Sequence, residues 1–516
     1  MKKSGKRILW VDDEIEALTS HVYLLEGRGY EVTTATNGDD GVSLLKSGSF
    51  DLILLDQMMP GMDGITTLAE LRRLDSNVPI VMVTKSEEES LMDEAFGKDV
   101  ADFLVKPINP RQLISTCKRI LEKRHMIEKR MPQDYASDFN KISQMRLSGP
   151  GWSDWVDIYS RLCEWDVWMD RFKDEGLAKT HAGQKKDCNA DFSKYVCSEY
   201  TSWISGKEGP LLSPYVFKDH VFPKLKKNRQ VVLLLLDCMR LDQYLSIEPL
   251  LKESFNIKRN FYYSILPSAT PYARNAIFSG LFPIEMSKHY PQFWSSKGEG
   301  SHNRYEREFL ELALKRETVR PRGVEYVKVL NAEDTEKLDK NLPRLLDNQL
   351  LCVVVNFVDI LTHYRSESHV VMQMTADEDA LRSFTHTWFA GSPIYELLGR
   401  IAKKDVDVIV TSDHGSIQGG RPCTIYGGRE ISSNLRYKFG SAIRCDEKQA
   451  LVIKDPLEYM LPTDIPNKRY CIAKEDYYFV YPTHYQRYVK QYKGTFQHGG
   501  ISMEEMILPI CTLTSE

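Results

Sequence analysis

Apolar residues in the first part of the chain fall into short runs separated by amphipathic stretches. The runs at 8–11, 32–35, 52–55, 80–84 and 103–105 alternate with helical periodicity at 17–25 and 41–45. Buried parallel strands read as unbroken apolar runs, so residues 1–122 are predicted to form an open, doubly wound α/β sheet. From Arg111 the spacing turns helical. Leu113, Ile114, Cys117, Ile120 and Leu121 share one face, and the pattern runs to Met131, where Pro132 is expected to stop it. Trp152, Trp155, Val156, Tyr159, Leu162, Trp165 and Trp168 form a second helical stripe, and 192–204 a third. Residues 123–206 therefore read as a small helical bundle linking two larger domains, its aromatic stripe used for packing and its role mechanical. Strand-like runs return at 231–236, 260–266, 351–358 and 406–412, so 207–516 is expected to be a second, larger α/β domain.

Composition narrows the function. The 516 residues are 42% hydrophobic and 27% charged, which excludes a disordered chain. The net charge of −4, from 68 basic and 72 acidic residues, gives no overall attraction to nucleic acid or anionic membrane. The tryptophan-rich, mixed-charge bundle also fits a DNA-reading helix pair poorly. No run approaches the roughly 20 apolar residues of a membrane helix, and the polar amino terminus does not resemble a signal peptide. Ten cysteines without a CxxC pair read as reduced thiols, and a cytoplasmic location is expected. His181, Cys188 and Cys197 are read as scattered core residues and not as a metal cluster.

Chemistry appears where strands end. Asp12 and Asp13 follow the first run, Asp56 ends the third, Thr84 the fourth, and Lys106-Pro107 the fifth. Ligand sites of open α/β sheets lie beyond the carboxyl ends of the strands. Three carboxylates gathered there repel each other unless they share a divalent cation, and an all-oxygen set suits magnesium. Lys106 and Thr84 would then stabilise a phosphoryl group carried by one aspartate. With Val11-Asp12-Asp13-Glu14, Leu54-Leu55-Asp56, Met59-Pro60-Gly61-Met62-Asp63-Gly64, Thr84 and Lys106-Pro107, the segment resembles the flavodoxin-like receiver domain of two-component response regulators. The resemblance implies Asp56 as phosphoacceptor, magnesium on Asp12, Asp13 and Asp56, and phosphate contacts from Thr84 and Lys106. It further implies Phe103 as an aromatic switch, a sensor histidine kinase as partner, and a homodimer on phosphorylation. Lys85 departs from the small residue usual there.

The last domain repeats the device with different donors. Asp237, Asp359 and Asp413 follow strongly apolar runs; His363 lies four residues after Asp359, His414 adjoins Asp413, and His498 sits in Gln497-His498-Gly499-Gly500. Mixed Asp and His donors suit zinc or a similar first-row metal, and six of them exceed one tetrahedral ion. Two ions would clamp the attacking and leaving oxygens of a displacement at phosphorus. Thr270 in Ser268-Ala269-Thr270-Pro271 is the expected nucleophile, with Ser268 its competitor.

These residues, with Leu236-Asp237, Ser279-Gly280-Leu281-Phe282-Pro283, Ser412-Asp413-His414-Gly415 and His498-Gly499-Gly500, resemble the PglZ branch of the alkaline phosphatase superfamily. The resemblance implies one zinc on Asp359, His363 and His498, and a second on Asp237, Asp413 and His414 with Thr270. The related phosphodiesterases carry an asparagine three residues after the nucleophile. Here that position is Ala273, and Arg274 or Asn275 is expected to contact the phosphate instead. The basic stretch 419–438, with Arg421, Arg429, Arg436 and Lys438, reads either as a cradle for further phosphates or as an exposed loop. The order receiver, bundle, PglZ-type domain is similar to the response regulators of type IX secretion in Bacteroidetes. That likeness implies a sigma factor as partner and nucleotide or oligonucleotide phosphodiesters as substrates. The two functions to separate are therefore a phosphorylation-controlled, zinc-dependent phosphodiesterase and a signalling adaptor that keeps the phosphatase fold as a scaffold.

Overall fold

The computed structural model describes residues 6–74, 78–85, 100–172, 174–294, 303–364, 377–427, 432 and 434–515. It divides into two compact units, Met1–Ser137 and Asp138–Glu516.

In the first unit, β1 (Arg7–Val11), β2 (Glu31–Ala35), β3 (Leu52–Asp56), β4 (Ile80–Thr84) and β5 (Asp102–Val105) form a parallel sheet in the order β2-β1-β3-β4-β5. Helices α1 (Thr19–Glu26), α2 (Gly38–Ser47) and α3 (Gly64–Leu74) connect the strands. β3 and β4 are buried along their whole length, as their unbroken apolar sequences require. Their side chains divide between two apolar clusters, one holding Leu9, Ile53, Leu55 and Met82, the other Trp10, Leu54, Val83 and Leu104.

Helix α4 (Pro110–Leu147) follows β5, and Pro132 does not end it. An interior proline costs about 3 kcal/mol through its missing N–H and its clash with the preceding turn. The apolar stripe nevertheless continues past it, and Met131, Tyr135 and Ile142 are all buried. Their burial is worth roughly 1.5–3 kcal/mol for each large side chain and outweighs the break.

The second unit contains α5 (Trp152–Phe172) and α6 (Glu175–Ile204), then β6 (Val231–Leu236), α7 (Leu241–Leu251), β7 (Asn256–Tyr263), α8 (Thr270–Ser279) and α9 (Glu306–Arg316). β8 (Val324–Val329), β9 (Leu350–Val355), α10 (Phe357–Tyr364), α11 (Glu378–Ala390) and β10 (Asp407–Thr411) complete its first half. The central sheet runs β7-β18-β10-β6-β9-β8, where β18 is Ile507–Thr514. β10, β6, β9 and β8 are mutually parallel, and β18 is antiparallel to both β10 and β7. In chain order the second of these strands, β7, starts four residues earlier than the sequence pattern suggests, because pairing with β18 extends it back to Asn256.

The helices expected to form a bundle of their own share a core with this sheet. Trp155, Tyr159, Phe192, Val196, Tyr200 and Trp203 belong to one apolar cluster with the residues of β6, β9 and β10. Trp155 meets Phe192 edge-on at 5.4 Å, and Trp203 meets Tyr263 of β7 edge-on at 5.5 Å.

A second difference concerns the run 351–358. The strand ends at Val355; the Asn356 carbonyl then accepts the Ile360 N–H, and α10 begins. Asp359 is therefore a helical residue one turn before His363, not a strand-end residue.

Between His414 and His498 the chain builds a cap of small sheets. β11 (Ile417–Gln418) pairs with β17 (Phe496–Gln497), β12 (Arg421–Thr424) with β16 (Tyr477–Val480), and β13 (Tyr437–Ser441), β15 (Lys468–Ala473) and β14 (Ala450–Ile453) form the third. A short helix, α12 (Met503–Met506), leads into β18. Among the described residues no helix is long and apolar enough to cross a membrane.

Candidate active site

In the first unit, Asp12 and Asp56 are buried at the carboxyl ends of adjacent strands, and Asp13 is exposed beside them. Carboxylate oxygens of the three lie within 4.8 Å of one another. The Lys106 ammonium donates to Asp12 at 3.1 Å and to Asp56 at 3.0 Å. Burial pushes the Asp56 carboxyl up; the Lys106 hydrogen bond opposes this and Asp12 reinforces it. Burial alone would lower Lys106, but its hydrogen bonds to Asp12 and Asp56 hold it above the ordinary lysine range. Thr84 is buried at the end of β4, and Phe103 is half-buried on β5 against the core. Gly64 opens α3 so close to the Asp56 carbonyl that a Cβ there would overlap it. The helix start thus needs glycine to lie beside Asp56.

In the second unit, Asp237 follows β6, and Asp413 and His414 follow β10. All three are fully buried, with ligand atoms within 4.8 Å of one another. Thr270 is the first residue of α8, and its Oγ1 lies 2.9 Å from Nε2 of His414. The other ring nitrogen, Nδ1, lies 3.1 Å from the Gly415 carbonyl. A carbonyl only accepts, so the proton belongs on Nδ1 and the Nε2 lone pair faces Thr270, Asp237 and Asp413. His498 stacks on His414 with ring centroids 4.3 Å apart, and its Nε2 lies 3.5 Å from Asp359. His363 shares α10 with Asp359, but its side chain lies outside the described residues.

Arg274, one turn after Thr270 on α8, is fully buried. It donates to Asp237 at 2.5 Å and to Glu306 at 2.5 Å, and lies 3.9 Å from Asp413. Asn356 donates to the same Asp237 oxygen at 2.6 Å. Burial drives the Asp237 carboxyl well above the ordinary range; Arg274 opposes this, and Asp413 and Asp359 add to it. Asp237 Oδ1 and Asp413 Oδ2 are buried without a hydrogen-bond partner among the described residues. Buried anionic oxygens left unpaired are costly. With the His414 lone pair they form an O,O,N set that fits a divalent first-row cation.

Not every expected contact belongs to this site. Arg436 is fully buried and bidentate to Glu505, at 3.1 and 2.6 Å, so it is an internal strut with no face for a phosphate. Lys438 is buried as well, donating to the Ser432 carbonyl at 2.7 Å over the Tyr481 ring. Asn275 donates to the Pro271 carbonyl within its own helix. Arg421 pairs with Glu475 and Asp476, and Arg429 lies outside the described residues. Ser268 donates to the Gly500 carbonyl at 2.7 Å, which leaves Thr270 as the hydroxyl facing the cluster. Sequence reading missed Asn356 and Glu306. The first was signalled only by a polar residue closing an apolar run. The second had no signal, being one acid in a charged helix start.

Comparison with known proteins gives the families of the regions that carry these residues. The family model of the BREX system PglZ alkaline phosphatase-like domain matches residues 216–513, more than half of the chain. The chain belongs to this family. Ahead of the PglZ domain, the response regulator receiver domain matches residues 8–118 and the PorX response regulator linker domain residues 125–204. Receiver, linker and PglZ domain in this order are those of a PorX-type response regulator. Similar curated proteins include the cyclic di-GMP phosphodiesterase response regulator RpfG of Xanthomonas campestris, 39% identical over 24% of this chain and 34% of its own length. Another is the alkaline phosphatase synthesis transcriptional regulatory protein PhoP of Bacillus subtilis, 38% identical over 23% of this chain and 50% of its own. The chain spans about a third to a half of the length of such relatives. A solved CheY-like receiver from Methanospirillum hungatei is 33% identical, covering 24% of this chain and 98% of its own, with a TM-score of 0.22.

Proposed function

We propose that this response regulator is switched by phosphorylation of Asp56 and that its PglZ domain is a zinc-dependent phosphodiesterase with Thr270 as nucleophile. The observation that carries the reading is the meeting of Asp237, Asp413 and His414 beside the Thr270 hydroxyl, with two buried carboxylate oxygens left unpaired. Asp237, Asp413 and His414 would hold one zinc, and Asp359, His363 and His498 the other. Zinc bound there would lower the pKa of the Thr270 hydroxyl and neutralise charge on the phosphoryl oxygens. Thr270 lies at the amino terminus of α8, where unpaired N–H groups favour negative charge on its oxygen. Its oxygen would bond to phosphorus as the bond from phosphorus to the leaving alcohol breaks, the alcohol taking a proton from solvent; water would then attack the same phosphorus, releasing a phosphate monoester and restoring the Thr270 hydroxyl. Arg274, fixed by Glu306, offsets the charge of Asp237 throughout.

In the receiver, magnesium on Asp12, Asp13 and Asp56 would accompany phosphoryl transfer from a sensor histidine kinase, with Thr84 and Lys106 contacting the phosphoryl group. Phe103 would respond, and a homodimer would form. Nucleotide or oligonucleotide phosphodiesters as substrates, a sigma factor as partner, a cytoplasmic location and control of type IX secretion complete the proposal.

The test is metal analysis of the full chain together with hydrolysis of bis(p-nitrophenyl) phosphate. The expected result is bound zinc and a Thr270→Ala variant that retains it while losing at least about 10³-fold in turnover. Undiminished hydrolysis by that variant rejects the nucleophile; a protein that takes up no metal and is inert leaves the adaptor role.

A further inference from the structure

Besides its apolar packing on the sheet, the linker helix α6 reaches polar side chains into the PglZ domain. Asn189 uses both ends of its amide there: its nitrogen donates to the two Glu504 carboxylate oxygens at 3.0 and 2.9 Å, and its oxygen accepts the Met503 N–H at 2.9 Å. One turn earlier on α6, Lys185 donates to Asp166 of α5 at 2.9 Å and to Glu378 of α11 at 2.7 Å, and lies 4.0 Å from Glu504. Asn189, Lys185, Asp166 and Glu504 are all buried.

What α6 grips in this way is the short helix α12, and α12 is tied to both histidine loops. Glu505 accepts the Gly500 N–H at 2.8 Å, two residues after His498, and is held in place by Arg436 and by the Ser502 hydroxyl at 2.8 Å. The Glu505 carbonyl accepts the N–H of Gly415 at 3.2 Å, next to His414. Gly415 lies so close to the Glu504 carbonyl that a Cβ would overlap it, so the His414 loop rests directly on α12. The Asp237 loop joins the same frame, since Arg240 donates to Glu378 at 3.1 Å, the carboxylate that Lys185 also holds.

We propose that Asn189 and Lys185 of α6 are positioning residues for the metal-binding side chains of the PglZ domain. By clamping Glu504 and Glu378 they fix the spacing of the His414, His498 and Asp237 loops. The linker is thereby part of the frame of the site, and a shift of α6 along its axis changes ligand geometry without touching a ligand. This inference rests on the metal reading proposed above.

Zinc affinity, read by competition with a chromophoric chelator, and the visible spectrum of the cobalt(II) form test it on the full chain. The variants are Asn189→Ala, Lys185→Met and, as a control on the exposed face of α6, Lys194→Ala. Partners that orient metal ligands typically alter metal affinity by about 10–100-fold, and that loss is expected for Asn189→Ala and Lys185→Met, with displaced cobalt bands. Lys194→Ala should match the unsubstituted protein. Variants that melt at lower temperature yet bind zinc with unchanged affinity and give an unchanged cobalt spectrum overturn the proposal, because the helix then only supports the fold. If Asn189→Ala does not fold, Asn189→Ser faces the same two outcomes. Absence of zinc uptake by the unsubstituted chain defeats the metal reading itself and this inference with it. Failure of the inference alone shows only in the variants.

Discussion

The receiver cluster and the PglZ cluster are built on one plan and differ in how their charge is compensated. Both gather carboxylates at the carboxyl ends of adjacent parallel strands. In the receiver the counter-charge is Lys106, an ammonium on a flexible stem, and Asp13 stays open to solvent. In the PglZ domain it is Arg274, a planar guanidinium wedged between Asp237 and Glu306, and Asp237, Asp413 and His414 are all buried, with Thr270 half-buried beside them. An exposed acid and a movable cation suit an ion and a phosphoryl group that come and go. A buried set of ligands with a fixed cation suits a resident metal. Strand-end acids alone do not decide between the two; access and the mobility of the counter-charge do.

The sharpest way to break this contrast is Asp56→Ala. It should abolish phosphoryl uptake from acetyl phosphate, read by Phos-tag electrophoresis, while metal binding by the full chain matches that of the unsubstituted protein. Retained uptake would place the phosphoacceptor elsewhere. Next in size is Glu306→Ala, which leaves Arg274 buried with one carboxylate fewer. The expected loss is about 3–5 kcal/mol in denaturant unfolding of the second unit. Glu14→Ala is its counterpart in the receiver. Glu14 is an exposed acid 3.9 Å from Lys106, and its removal should cost less than about 1 kcal/mol. Equal losses would remove the distinction between fixed and movable compensation.

The smallest effect concerns pH. Asp166 and Asp242 are buried, which would raise them. Lys185 and His181 on the first, and Arg240 and Arg382 on the second, more than reverse that and hold both well below the ordinary carboxylate range. Their folded-state values lie under the unfolded value of about 3.9, so beneath that pH the unfolded chain binds more protons. The stability these groups contribute is complete above the unfolded value and is lost as pH falls through the folded values. Urea midpoints followed between about pH 5 and pH 3 should fall less steeply for Asp166→Asn than for the unsubstituted chain. An identical slope would show that the pair with Lys185 carries no linkage.

Much of both sites was legible because strand-end chemistry leaves a local trace: an apolar run closed by an acid. Asp12, Asp56, Asp237 and Asp413 all follow that rule. Asp359 does not, since the run before it is a strand joined to a helix start, with the single polar Asn356 as the only mark of the seam. Arg436 and Lys438 misled because a basic residue in a glycine-rich stretch looks the same whether it faces solvent or an internal acceptor; the distant Glu505 decides for Arg436, and the Ser432 carbonyl with the Tyr481 ring for Lys438. Glu306 and Asn189 were silent for the same reason: their partners lie 32 and 315 positions away in sequence. Pro132 illustrates the opposite error, a strong local signal overruled by burial on either side of it.

The two-residue ladder of β11 with β17 closes the cap at its root, immediately beside His414 and His498. Residues 419–495 therefore leave and re-enter the PglZ domain through a single clasp. Changes within that outgrowth that spare the clasp and the Arg436–Glu505 pair leave the spacing of the two histidine loops intact.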